Sequence, residues 1–114
     1  MASHAEGYGT TASNQGAHAE GGATVAAGVW SHAEGYATRT SAGQAHAEGM
    51  LSTASNVNAH AEGYNTNASG ISSHAEGGTT KALGDISHSE GAATIASGYA
   101  SHAEGSYTIA TRES

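Results

Sequence analysis

The chain has 114 residues, enough for one domain, and no Phe, Cys or Pro, so neither an ordinary Leu/Ile/Phe core nor disulfide stapling is open to it. The formal charge of −7 comes mostly from one recurring Glu, and the only basic residues, Arg39, Lys81 and Arg112, lie far apart, which argues against a nucleic-acid partner. No apolar run is long enough for a signal peptide or membrane insertion, and at 11% charged residues the chain lacks the high charge of most disordered segments.

Met1 and Ala2 read as a short leader; everything after them is one phrase repeated. Histidine recurs every fourteen residues, at His4, His18, His32, His46, His60, His74, His88 and His102. Two residues after each stands a glutamate: Glu6, Glu20, Glu34, Glu48, Glu62, Glu76, Glu90 and Glu104. Glycine comes next each time, from Gly7 to Gly105. A second phrase keeps step, with Thr six residues after each His (Ser52 excepted) and Ala two later (Thr40 excepted). Residues 3–114 therefore form a single repeat domain of eight 14-residue units, the signature of a solenoid whose units bury their faces only by stacking.

Within each unit two short strands and two turns are expected. Ser-His-Ala-Glu alternates with period two and is ended by Gly; Thr-x-Ala-Ser forms the second strand. Gly28, Gly70, Gly84 and Gly98, with Asn14 and Asn56, follow that second strand and are expected to take the positive φ of a tight corner. Helices are excluded because Gly interrupts every candidate. Parallel stacking of eight coils at about 4.8 Å gives an all-β rod roughly 35–40 Å long. Alternation turns Ser and Ala of the first strand inward, with Thr and Ala of the second. The slot between Thr and Ala accepts Arg39, Lys81 and Ile95, so it faces solvent.

His and Glu share the remaining face, whose composition never varies. The reading this favours is an inter-chain seam, where cross-chain His–Glu hydrogen bonds offset the repulsion of stacked like charges and fix register. Stability of such a seam depends on pH, because both residue types titrate. Two alternatives remain on this reading: a monomer with the face exposed, and a metal-binding ladder in which several chains supply ligands to each layer. No layer is marked as special, so no metal site and no cofactor is assigned. An enzyme is not expected, since adjacent Ser31 and His32 point to opposite faces and identical pairs in every coil do not shape one pocket. An ice-binding solenoid is a further alternative, on the ladder Thr10, Thr24, Thr38, Thr66, Thr80, Thr94 and Thr108, but that ladder is expected to face inward.

Tyr8, Trp30, Tyr36, Tyr64 and Tyr99 gather at the variable corners. They are candidate contacts for a cell-surface glycan or protein receptor, and the preferred reading is that they shield Gly-rich turns or neighbouring chains. Asp85 and Glu113 read as solvated turn acids.

The pattern resembles the head repeats of trimeric autotransporter adhesins, whose 14-residue unit reads Ser-Val-Ala-Ile-Gly, two variable residues, then a small residue, x, Ala, x, Gly. Ser31-His32-Ala33-Glu34-Gly35 matches the first part with His for Val and Glu for Ile, and Thr66-Asn67-Ala68-Ser69-Gly70 matches the second. The His-Ala-Glu-Gly variant also looks like tail-fibre repeats of phages and prophages. The resemblance spans residues 3–114. It implies a left-handed parallel β-roll, assembled as a homotrimer, forming the shaft or head of an extracellular fibre on a bacterial surface or a virion. It departs from the family in having a polar seam where the family has an apolar Val/Ile one. Neither end carries an atypical capping repeat, so a segment of a longer fibre, or end-to-end stacking of copies, is expected.

Overall fold

The computed structural model describes residues 2–112; Met1 and Glu113 lie outside the described residues. The chain winds as a β-solenoid of eight coils, with two parallel sheets back to back. One sheet stacks the long strands His4–Tyr8, His18–Gly22, His32–Tyr36, His46–Met50, His60–Tyr64, His74–Gly78, His88–Ala92 and His102–Ala103. The other stacks two-residue strands, from Thr11–Ala12 to Ile109–Ala110. The register is that of the repeat: His pairs with His, Glu with Glu and Gly with Gly in successive long strands. The resulting slab measures 41 × 21 × 10 Å, its length that of eight stacked strands.

A slab this thin leaves room only for small side chains. Its interior holds Ala19, Ala33, Ala47, Ala61 and Ala75 from the long strands, facing Ala26, Ala54, Ala68 and Ala82 from the short ones. Ser31, Ser73, Thr24, Thr38, Thr66, Thr80 and Thr94 are buried beside them. Interior hydroxyls pair with one another: Thr40 Oγ1 donates to Ser31 Oγ at 3.0 Å and Thr66 Oγ1 to Ser52 Oγ at 3.0 Å, whereas Thr24 Oγ1 is buried without a partner. Thr38, Thr80 and Thr94 each donate to the carbonyl of the Glu four residues earlier, fastening the corner after the long strand. From Thr24 to Thr94 the Thr ladder thus turns inward as alternation indicates, away from any ice-facing surface; Thr108 in the last coil is exposed.

The corners differ from the sequence-based expectation. Long strands do not end at Gly but run through it to the next residue. Gly28, Gly70, Gly84 and Gly98 do not adopt positive φ, nor do Asn14 and Asn56. Positive φ recurs instead every seven residues, from Gly9 and Gly16 through Ala23, Trp30, Ala37, Gln44 and Leu51 onward to Tyr107. Bulky or β-branched residues such as Trp30, Leu51, Thr79 and Ile86 sit there with φ of 58–61°, a conformation costing about 1–2 kcal/mol apiece. What holds them is a backbone hydrogen bond to the coil before. Trp30 N–H donates to Gln15 O, Leu51 N–H to Tyr36 O and Ile86 N–H to Ile71 O, at 2.8–2.9 Å. Coil stacking therefore overrides local preference, and no residue type marks the corner.

Gly28 is needed for a different reason: a Cβ there would lie 1.9 Å from Ala42 O of the next coil. Ser31 Oγ donates to Gly28 O at 2.7 Å, and the same Ser–Gly bond closes the coils at Ser73, Ser87 and Ser101. Where Asn14 or Asn56 replaces the Gly, Ala17 or Ala59 replaces the Ser, and the Asn Nδ2 donates to a carbonyl of the following coil at 3.1 Å. Asp85 is likewise more than a solvated acid: its Oδ1 accepts from Ile71 N–H at 2.8 Å.

Candidate functional site: a histidine–glutamate ladder

Because the long strands pair in register, their outward residues form two parallel rows. His18 to His102 stack as imidazoles with ring centroids 4.7–4.8 Å apart and planes within 13° of parallel; only His4 is tilted, at 48° to His18. The Glu row runs alongside. From His18 to His88 the imidazoles and their carboxylates keep about a third of their surface exposed. All sixteen sequence-predicted residues thus share one outer face.

Each carboxylate but that of the last coil, Glu104, lies between two imidazoles, and the choice changes along the rod. In the first coils the partner belongs to the same coil: His4–Glu6 and His18–Glu20 at 3.6 Å, His32–Glu34 at 3.7 Å and His46–Glu48 at 4.0 Å. Glu48 also reaches forward, with Oε1 3.8 Å from His60 Nε2. Beyond it the forward partner wins. His74 Nε2 donates to Glu62 Oε1 at 3.3 Å, His88 to Glu76 at 3.3 Å and His102 to Glu90 at 3.1 Å. An ionised carboxylate only accepts, so these Nε2 atoms carry the proton. By contrast, the Nε2 atoms of His18, His32, His46 and His60 are buried and have no hydrogen-bond partner.

The hydrogen bond from His102 holds the Glu90 carboxyl below its ordinary pKa of 4.5, helped by the charge of His88 and by contact with Glu76, and opposed by desolvation. Like charges repel along the same row, by roughly 1 kcal/mol per neighbouring pair in water at such a spacing. Interleaved imidazoles are what relieve it.

The five candidate contact residues among the chain's six aromatics do not form one patch. Tyr8, Tyr36 and Tyr64 end long strands, whereas Trp30 and Tyr99 lie at the opposite corner; all five are more than half exposed. Two of them cover glycines of the preceding coil. The Trp30 ring lies where a Cβ on Gly16 would be, and the Tyr36 ring crosses Gly22, 3.1 Å from where its Cβ would sit. Ser31 is buried while His32 faces out, so this pair is not arranged as nucleophile and base.

Sequence reasoning missed that neighbouring coils of a single chain assemble His-Glu-His clusters. In His18–Glu20–His32, His46–Glu48–His60 and His74–Glu76–His88, one nitrogen or oxygen from each residue lies within 4.8 Å of the others. The signal was available, because a 14-residue coil stacked at strand spacing puts each His directly over the next. Comparison with known proteins adds no relative: no family model, curated protein or solved structure matches the chain.

Proposed function

We propose that the chain is a structural segment, shaft or head, of a homotrimeric extracellular fibre for surface attachment or host recognition, with the His–Glu face as the seam between chains. The observation that supports this reading is the unbroken ladder itself: one flat face in which every coil presents the same two ionisable side chains, four of the imidazoles with unpartnered Nε2 atoms. A buried donor or acceptor without a partner costs about 1–3 kcal/mol, a cost relieved when a second copy set against these partly exposed rings lets them turn to its polar groups. Stiffness comes from the two parallel ladders of backbone hydrogen bonds running the length of the rod. The mechanism is therefore mechanical, and receptor contacts belong to the exposed corners.

Sedimentation equilibrium tests the assembly. The expected species has three times the 11.2 kDa chain mass, and it dissociates when the eight Glu are replaced together by Gln. A single-chain mass at every concentration overturns the reading.

A further inference from the structure

We propose that the ladder is also a divalent transition-metal array, each site built within one chain from the His and Glu of one coil and the His of the next. The best-formed sites are His18–Glu20–His32 and His46–Glu48–His60. Three observations carry this. First, the donors converge: one ring nitrogen of each imidazole and a carboxylate oxygen lie within 4.8 Å of one another in each cluster. In the second cluster the Glu48 carboxylate bridges the coils, one oxygen 4.0 Å from His46 Nε2 and the other 3.8 Å from His60 Nε2. Secondly, the Nε2 atoms of these four His are buried and make no hydrogen bond, so their lone pairs are free once the proton sits on Nδ1. At His74, His88 and His102 the proton on Nε2 is committed to a carboxylate, and a cation there must displace it. Thirdly, the side chains that carry these buried atoms keep about a third of their surface open, so a small rotation of the rings and carboxylate admits a cation that retains water.

Two imidazole nitrogens and one carboxylate oxygen, with an open fourth position, form a donor set suited to Zn²⁺ or Cu²⁺ rather than Ca²⁺ or Mg²⁺. With Zn–N and Zn–O bonds of about 2.0–2.2 Å, tetrahedral donors sit roughly 3.4 Å apart, so the ring tips and the carboxylate must draw together by up to about 1.4 Å. These are the free ends of partly exposed side chains. The backbone spacing need not change. Each imidazole serves one site at a time, so eight His hold at most four cations. All ligands come from one chain, so the sites do not depend on the trimer, and stoichiometry per chain is read independently of assembly mass.

The test is calorimetric titration of the chelator-treated full chain with Zn²⁺ alone. The expected result is two to four tight sites per chain. Replacing His18, His46, His74 and His102 together by Asn leaves every remaining His separated from the next by an empty coil. Affinity should then fall by more than the roughly 10–100-fold that losing a mere supporting partner costs. Circular dichroism checks that the variant folds. If it does not, electron paramagnetic resonance of Cu²⁺ on the unaltered chain decides, with two coordinated nitrogens per Cu²⁺ expected. No saturable binding, a variant that keeps half the sites at undiminished affinity, or one nitrogen per Cu²⁺ overturns the proposal.

Discussion

Coils one to four and coils five to seven repeat the same two words, yet their carboxylates solve the same problem differently. In the first group each Glu leans on the His of its own coil at 3.6–4.0 Å, and imidazole Nε2 atoms such as that of His32 go unpartnered. In the second, the Glu reaches forward and accepts a hydrogen bond from the following coil's His at 3.1–3.3 Å. Glu48 stands at the changeover, in touch with both His46 and His60. Backbone register is fixed by stacking and is identical in both regions. Side-chain pairing is not, because every carboxylate before Glu104 has two neighbouring imidazoles one strand spacing apart. The ladder is thus a shared network, in which partners can be exchanged without moving a strand.

The largest effect expected is one that ignores this difference. Gly35 in the first region and Gly77 in the second both hold positive φ, 110° and 105°, and a Cβ on either would lie 2.0–2.2 Å from the next coil's Gly carbonyl oxygen. Ala at either position should cost about 2–6 kcal/mol, from strain and overpacking together, measured by thermal or denaturant unfolding. Gly78, next to Gly77, has nothing within 4 Å of its Cβ position, and Gly78→Ala should stay within about 0.5 kcal/mol of the parent. Unequal losses at Gly35 and Gly77 would mean that the backbones of the two regions differ.

A smaller effect should separate the regions. Glu76→Gln removes the charged acceptor of the His88 hydrogen bond and should cost about 0.3–1 kcal/mol after allowance for exposure. Glu20→Gln breaks only a 3.6 Å contact and should cost close to nothing. The reverse order would show that pairing in solution is not as described.

The smallest effect is the acid limb at Glu90. Its folded pKa lies below the ordinary 4.5, so the folded state binds fewer protons than the unfolded chain in that window. The stability this adds is fully present above about 4.5 and is lost as pH falls through the folded pKa. His102→Asn should return the carboxyl toward its ordinary value and flatten that part of the pH profile, read by carboxyl NMR titration alongside unfolding. An unchanged carboxyl titration would remove the His102 bond as its cause.

Much of this was legible in the sequence. The 14-residue spacing of His4 to His102 set the coil, the alternation of Ser-His-Ala-Glu set which residues face inward, and the slot holding Arg39 and Lys81 marked the outer face. The corners were not legible. Positive φ falls on Trp30, Leu51 and Ile86 because inter-coil hydrogen bonds impose it, while Gly28 marks a close approach rather than a left-handed turn. Nor was the changeover at Glu48, since identical repeats offer no sequence difference from which to read it. The pairing of Ser31 with Gly28, and of Ala17 with Asn14, was written in the repeats all along.

The seam is the central claim, and inter-chain distances test it most directly. The chain has no cysteine, so a spin label can be placed through Glu62→Cys on the ladder face or Lys81→Cys on the opposite sheet. Pulsed electron resonance on each labelled assembly then gives the separation between equivalent sites of neighbouring chains. A seam along the His–Glu face predicts labels at 62 that are closer together than labels at 81, by an amount set by the 10 Å thickness of the slab. Equal separations, a reversed order, or no inter-chain coupling at either site would contradict it.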